Sequence, residues 1–444
     1  MGGLAFSSGA NPLSTPRMPP AVYRHMLNYC HAKLQELFVV VATPIPGPAK
    51  KDYGDIDIFL AWERSVVFPS SAVNSLLESL SSPTHNPLQA AARLLNAERC
   101  IQEQSKIIVA AIPWPDEIPC EGAEKYVGEP RYIQVDLHLC DSLEHLQWML
   151  FKHAHGDLWN MFGSTIRPYG LTVDEAGLYI RIPEIENLNK KKAKILLTTD
   201  PIEILEFLGL EYNHTHWEEP FSSVDELLEY AATCRLFWVR PDPDSAEGNE
   251  LDRDRLKSND RRRMSQRSVF RKWIDEFLPA CRKSGRFAAQ PATRDAVRSE
   301  AFARFLGAEH AYQTRLTEWR KERQRQTLWR DVIKASIPEP QPDESENDGE
   351  VDLRGKIWRS HAASAFKKIV MLDDYSLGIR PPAPLRDEDG LFDEALVRRF
   401  VLDTWRQVGD AASEANDKRY VKKRKEREME MDAKRQPGGA GGIR

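Results

Sequence analysis

Gly54-Asp55-Ile56-Asp57-Ile58-Phe59-Leu60 is the segment from which the fold of the first half of the chain can be inferred. Apolar residues alternate with two aspartates, which is the pattern of a β-strand, and residues two apart on a strand share a face. Asp55 and Asp57 therefore project from one face, and the isoleucines project from the other, where helices can bury them. Aspartate is disfavoured in strands, so this pair indicates a functional requirement.

A second predicted strand, residues 132–139, repeats the pattern with Tyr-Ile-Gln-Val-Asp-Leu-His-Leu. Asp136 points away from the apolar face of this strand, and in a shared sheet it would lie beside Asp55 and Asp57. Three adjacent carboxylates repel one another, and either a proton or a bound cation relieves the repulsion. Hard divalent ions prefer carboxylate oxygens and often share them with substrate phosphates. The three aspartates therefore predict a Mg²⁺ (or Mn²⁺) site.

Strands alternate with helices up to about residue 235, which predicts an α/β (or α+β) fold with helices packed on a small sheet. One of these helices is predicted over residues 88–100, and another over 143–152 with a possible continuation to 162. A mainly α-helical, charged region follows. The predicted order is a flexible N-terminus (1–18), an α/β domain (19–235), a charged linker (236–268), a helical region (269–340), an acidic linker (341–352), a second helical region (353–417) and a basic disordered tail (418–444).

The composition of the 444-residue chain excludes several classes of protein. No apolar run approaches the roughly 20 residues that span a bilayer, so no membrane association is expected. The six cysteines are scattered without a paired spacing, which excludes a disulfide framework and a zinc ribbon. We expect a soluble, intracellular protein, and the basic run Lys422–Lys425 is compatible with a nuclear or cytoplasmic location. The sequence does not indicate an oligomeric state.

The two aspartate-bearing strands resemble those of the nucleotidyltransferase superfamily, typified by DNA polymerase beta and the CCA-adding enzymes. The resemblance rests on residues 54–60 and on Val135-Asp136-Leu137, and it covers about residues 20–210. It implies a small mixed sheet with helices on one side. It also implies that Asp55 and Asp57 ligate two Mg²⁺ ions and the triphosphate, and that Asp136 holds the ion that activates the attacking hydroxyl.

The activity implied by this resemblance is transfer of a nucleoside monophosphate from a nucleoside triphosphate to a hydroxyl acceptor, with release of pyrophosphate. The basic C-terminal half favours RNA as the acceptor. An inactive nucleotidyltransferase-like scaffold is the alternative. A metal-dependent nuclease is a further alternative, although many such enzymes need an acid-x-Lys pair that residues 132–139 lack.

The chain departs from the family at the turn before the first strand. The family usually carries a Gly-Ser pair there, whereas residues 42–48 read Ala-Thr-Pro-Ile-Pro-Gly-Pro. The candidates for binding the triphosphate are therefore Thr43 through its hydroxyl, Gly47, Lys51 through its charge, and Gly54. Glycine at position 54 would let a phosphate approach the backbone closely.

Two further groups of residues are candidates for ligand contact. Asp157 and Asn160 would contact the ribose or the base if their segment lines the cleft, and the alternative is that Asp157 caps a helix. The run Arg261, Arg262 and Arg263 would contact nucleic-acid phosphates. The alternative for the arginines is a solvated helix end.

Overall fold

The structure is a computed structural model of the chain, and it describes residues 3–69, 75–76, 79, 86–115, 130–212, 214–239, 267–339 and 353–435. The chain divides into two compact units, Met1–Glu309 and His310–Arg444. This boundary falls inside the helical region predicted over 269–340. Most of the predicted linkers, 236–268 and 341–352, lies outside the described residues.

The first unit is built on a mixed five-stranded sheet, which confirms the predicted α/β class. Its strands are β1 (Phe38–Ala42), β2 (Asp55–Glu63), β3 (Arg99–Gln104), β4 (Ile107–Pro113) and β5 (Tyr132–Leu139). They lie in the order β1-β2-β5-β4-β3. The central pair, β2 and β5, is parallel, and the other pairs are antiparallel. The two aspartate-bearing strands are therefore neighbours, as the sequence pattern requires.

Helices cover the apolar face of this sheet. Helix α1 (Pro20–Leu34) begins with proline at its first position, where the missing N–H costs nothing. The short helix α2 (Arg64–Val67) follows β2. Helix α3 (Pro87–Leu94) is capped by Asn86, whose side chain accepts hydrogen bonds from two backbone N–H groups. Both α1 and α3 pack on the apolar side chains of the sheet in one continuous core. The opposite face of the sheet is thereby left for Asp55, Asp57 and Asp136.

Two helices and a second, three-stranded sheet follow β5. Helices α4 (Leu143–His153) and α5 (Leu158–Ile166) are separated by a break in which His155 has a positive φ of 58°. The continuous helix considered for residues 143–162 is thus two helices. The second sheet contains β6 (Leu171–Val173), β7 (Leu178–Arg181) and β8 (Lys194–Thr198), and all of its pairs are antiparallel.

The other helices of the first unit, within the described residues, are short. In chain order they are α6 (Pro183–Glu186), α7 (Pro201–Phe207), α8 (His214–Glu218), α9 (Val224–Ala232), α10 (Ser268–Lys272), α11 (Leu278–Ser284) and α12 (Arg294–Arg304). A π-helical turn, Trp273–Phe277, joins α10 to α11.

The second unit is helical. Helix α13 (Ala308–Thr327) continues into a π-helical turn, Leu328–Lys334, and is followed in chain order by α14 (Leu353–Leu372) and α15 (Glu394–Arg435). Buried apolar side chains on the π-helical turn, α14 and α15 form its core. Within the described ranges, none of the helices combines the length and the apolar character that crossing a bilayer requires.

The structure differs from the sequence-based expectation in three segments. The helix predicted over 88–100 is wrong beyond Leu94, because residues 99–104 form the exposed edge strand β3. A disordered tail is predicted from residue 418, whereas α15 continues through Arg435 and carries ion pairs four residues apart. A flexible N-terminus is predicted over 1–18, whereas Phe6 and Met18 are fully buried.

Candidate metal centre

Asp55, Asp57 and Asp136 meet on one face of the five-stranded sheet. In the parallel pairing of β2 with β5, Asp57 is opposite Asp136 and Asp55 is opposite Gln134. One carboxylate oxygen from each of the three aspartates lies within 4.8 Å of the others. This spacing would let a single cation contact all three side chains.

The electrostatics of the cluster favour a bound cation. Burial, followed by the charge of Asp55, raises the pKa of Asp57, and the charges of Lys50 and Arg267 oppose the shift. Burial, followed by the charge of Asp57, raises the pKa of Asp136 to about 8. Without a cation, the cluster therefore retains protons near neutral pH. A divalent ion would replace those protons, and carboxylates are the ligands that Mg²⁺ and Mn²⁺ prefer.

A cleft of 760 Å³ opens beside the aspartates. Its walls are the loop between β1 and β2, the end of α4 with the start of α5, and the residues around Arg267. All six residues predicted to bind the nucleotide line this cleft, namely Thr43, Gly47, Lys51, Gly54, Asp157 and Asn160. The fold thus gathers them beside the acidic cluster, and their individual roles remain predictions.

Contacts within the protein already engage Thr43 and Gly54. The Thr43 hydroxyl is 2.8 Å from Nε2 of His31. Gly54 is buried, and Gly3 lies so close that a Cβ added at Gly3 would overlap the Gly54 carbonyl oxygen. A close approach to the backbone at Gly54 was predicted for a phosphate. In the structure, Gly3 makes part of that close approach.

Asp157 and Asn160 form a small polar network with Arg267. Asp157 is only 8% exposed, and it accepts from Nη1 of Arg267 at 2.7 Å and from Nδ2 of Asn160 at 3.2 Å. Asp157 precedes α5, but its side chain makes no capping hydrogen bond. The Asp157 side chain therefore does not cap the helix, which was the alternative role predicted for it. The ion pair instead holds Arg267 at the cleft.

One predicted group of site residues is not covered by the structure. Arg261, Arg262 and Arg263 lie outside the described residues, so their contact with nucleic acid stays a prediction.

Gln134 is a site residue for which the sequence analysis predicted no role. It is 5% exposed and donates to Oδ1 of Asp136 at 2.9 Å. Its position two residues before Asp136 on the same strand face was the available signal.

Comparisons with known proteins identify similar solved structures but no family. No protein-family model matches the chain, and no curated protein matches it. A ternary P/T complex of Leishmania infantum polymerase beta matches with a TM-score of 0.30 and 15% identity, over 45% of this chain and 75% of that chain. A ternary gap complex of the same polymerase matches with a TM-score of 0.29 and 16% identity, over 45% of this chain and 69% of that chain. Similarity at this level does not establish a family.

Proposed function

We propose that the protein is a metal-dependent nucleotidyltransferase. It would move a nucleoside monophosphate from a nucleoside triphosphate to a hydroxyl acceptor and release pyrophosphate. The observation that carries this proposal is the meeting of Asp55, Asp57 and Asp136 within 4.8 Å, beside a cleft with basic side chains in its wall. The strand register that places Asp57 opposite Asp136 supports it.

The acidic and the basic residues of the site would have different roles in the reaction. Asp55, Asp57 and Asp136 would hold the cation, which would neutralise charge at the phosphate and lower the pKa of the acceptor hydroxyl. Lys50 and Arg267 both act electrostatically on Asp57, so they are close enough to attract a triphosphate bound at the same place. Most of the rate enhancement in such chemistry comes from positioning and charge stabilisation.

The bond changes of the proposed reaction are simple. The acceptor oxygen forms a bond to the α-phosphorus as the bond from that phosphorus to the bridging oxygen breaks. Pyrophosphate departs with the electron pair, and the proton of the acceptor passes to solvent. RNA is our candidate acceptor because the C-terminal part of the chain carries the basic run Lys422–Lys425.

A label-transfer assay tests the proposal. Each α-labelled nucleoside triphosphate is supplied with Mg²⁺ or Mn²⁺ and pooled RNA, and labelled RNA and pyrophosphate are both measured. Wild-type protein should produce both, and Asp57→Asn should produce neither above background. Release of nucleotides from the RNA without pyrophosphate would instead identify a nuclease.

Asp141→Asn is the matched control for Asp57→Asn. Asp141 lies just beyond β5, is exposed, and pairs with Lys106 away from the cluster. The control should label RNA at the wild-type rate. If Asp57→Asn also labelled RNA at that rate, the assignment of the acidic cluster would be refuted. A wild-type protein that gains no thermal stability from Mg²⁺ or Mn²⁺ with a nucleoside triphosphate would point to the inactive scaffold.

A further inference from the structure

Residues 3–18, the N-terminal segment, pack on the face of the sheet that carries the aspartates. Phe6 is 1% exposed and lies in a small apolar cluster with Val109 and Ala111 of β4. In the pairing of β4 with β5, Val109 is opposite Asp136 and Ala111 is opposite Gln134. The N-terminal segment therefore covers the sheet immediately beside the candidate metal centre.

Hydrogen bonds fix the N-terminal segment along its length. Ser14 accepts from the backbone N–H of Tyr132 at 2.9 Å, and Met18 exchanges two backbone hydrogen bonds with Tyr53, at 2.7 and 2.9 Å. Thr15 donates its hydroxyl to the carbonyl of Gly3 at 2.5 Å. These contacts join the segment to the start of β5 and to the loop before β2. They explain why a stretch rich in Gly, Ser and Pro is ordered here.

Gln134 connects this segment to the metal centre. Its Oε1 accepts from the backbone N–H of Ala5 at 3.1 Å, and its Nε2 donates to Oδ1 of Asp136 at 2.9 Å. The Ala5 partner fixes the orientation of the amide, because a backbone N–H can only donate and must therefore face Oε1 rather than Nε2. With both ends of the amide engaged, the Gln134 side chain has one orientation available to it.

We propose that the N-terminal segment, acting through Gln134, holds the carboxylate of Asp136 in the position that binds the cation. Gln134 is then a positioning residue, and Ala5 is its anchor. This inference rests on the proposed function, because it assigns a support to one ligand of the same site. Hydrogen bonds that orient metal ligands commonly change metal affinity by 10–100-fold when they are removed.

Two substitutions interrupt the connection at different points. Gln134→Leu removes both hydrogen bonds and keeps a side chain of similar size in the strand. Ala5→Pro removes only the N–H that anchors Gln134. The N–H of Ser7 bonds the carbonyl of Leu4 at 3.3 Å, which makes Ala5 the second residue of a turn, where proline is favoured.

Two matched controls separate positioning from general damage. Gln102→Leu makes the same change on the exposed edge strand β3, where the side chain donates to the carbonyl of Gln104. Ser7→Ala alters the N-terminal segment at an exposed hydroxyl that bonds Leu4 rather than Gln134. Both controls should bind Mn²⁺ with wild-type affinity.

The experiment is a Mn²⁺ titration of the full chain by calorimetry, with the electron paramagnetic resonance spectrum of the bound ion recorded at saturation. We expect affinity to fall about tenfold in Gln134→Leu and by a smaller factor in Ala5→Pro. The spectrum should change in both, because the ligand geometry changes. A substitution that only loosened the fold would leave the spectrum of the bound ion unchanged.

The outcomes distinguish this inference from the proposed function. If the wild type binds Mn²⁺ and both variants bind it with the same affinity and spectrum, the positioning role is refuted while the metal site stands. If the wild type binds no Mn²⁺, both proposals fail. If Gln134→Leu does not fold, the test rests on Ala5→Pro. An unchanged Mn²⁺ affinity in Ala5→Pro then overturns the inference.

Discussion

Replacing Asp136 with asparagine should stabilise the cation-free protein and abolish its stabilisation by Mg²⁺. Asparagine has nearly the same shape as aspartate and keeps an oxygen that can accept from Gln134, whose amide lies 2.9 Å from Oδ1 of Asp136. It carries no charge at any pH, so the repulsion with Asp57 disappears. The substitution therefore tests the electrostatic description of the site with little change in packing.

The magnitude follows from the pKa of Asp136, which rises from 3.8 to about 8 in the folded protein. Below about pH 4, Asp136 is protonated in both the folded and the unfolded protein, so stability is unaffected. Between pH 4 and pH 8 only the unfolded chain releases the proton, so stability falls as the pH rises. At pH 7 the cost is at most ~4 kcal/mol, from roughly three pH units at ~1.36 kcal/mol each.

We expect about half of this ceiling, ~2 kcal/mol, because Asp136 is only partly buried and solvent screens part of its repulsion with Asp55 and Asp57. The first unit ends at Glu309, and for a unit of about 300 residues each kcal/mol raises the midpoint of thermal unfolding by roughly 1–2 °C. Scanning calorimetry at pH 7 in a chelating buffer should therefore show a midpoint a few degrees higher for Asp136→Asn than for the wild type.

Adding Mg²⁺ to the same samples should reverse the order of stability. A cation at a hundred times its dissociation constant stabilises the wild type by about 2.7 kcal/mol, and Asp136→Asn should gain little. Asp141→Asn, in an exposed pair with Lys106, should follow the wild type in both buffers. A variant that is less stable than the wild type without metal, and equally stabilised by Mg²⁺, would refute the electrostatic description of the site.

Three further predictions concern the site and its surroundings. Mn²⁺ affinity, measured by calorimetry from pH 6 to pH 8, should rise with pH, because the cation must displace protons from Asp57 and from Asp136, whose pKa is raised to about 8. The rise should be up to about tenfold per pH unit for each proton displaced, and an affinity independent of pH would contradict this prediction. Gly3→Ala should lower the free energy of unfolding, measured by chemical denaturation, by roughly 1–3 kcal/mol more than Gly9→Ala does. Both glycines have positive φ, but of the two only Gly3 would place its Cβ against another atom, the Gly54 carbonyl oxygen. Equal losses of stability in the two variants would exclude that contact. Arg267→Gln should weaken binding of a fluorescent nucleoside triphosphate several-fold. The control Arg286→Gln, which breaks an exposed pair with Glu229, should not weaken it. Equal binding by the two variants would show that Arg267 does not contact the nucleotide.

The sheet and its acidic face were predictable because they depend on local alternation. Residues 55–60 and 132–139 each have one apolar face, and only one register and one sheet bury both faces under helices. The same rule placed Gln134 beside Asp136. The strand β3 was missed because its residues, Arg99–Gln104, are mostly exposed and polar and directly follow a helix, so neither alternation nor apolar character marks them.

The order of the N-terminal segment was not predictable from local sequence. Its composition is typical of an irregular chain, and its burial depends on contacts with residues that are distant in the sequence. Ala5 meets Gln134, and Phe6 meets Val109, only because β4 and β5 are already paired. Long-range contacts of this kind leave no periodic signal in one sequence. The ion pair of Asp157 with Arg267 was unpredictable for the same reason, since Arg267 follows Asp157 by 110 positions.

Two contacts within the protein are relevant to the absence of a Gly-Ser pair before β2. In this chain the Thr43 hydroxyl is engaged by His31, and Gly3 occupies space beside Gly54. The Thr43 hydroxyl and Gly54 are thus poorer candidates for triphosphate binding than side-chain cations. Lys50 and Arg267 both line the cleft, and both act electrostatically on Asp57. If the cleft binds a triphosphate, its recognition should therefore depend on these two charges and weaken with salt, as screened pairs do.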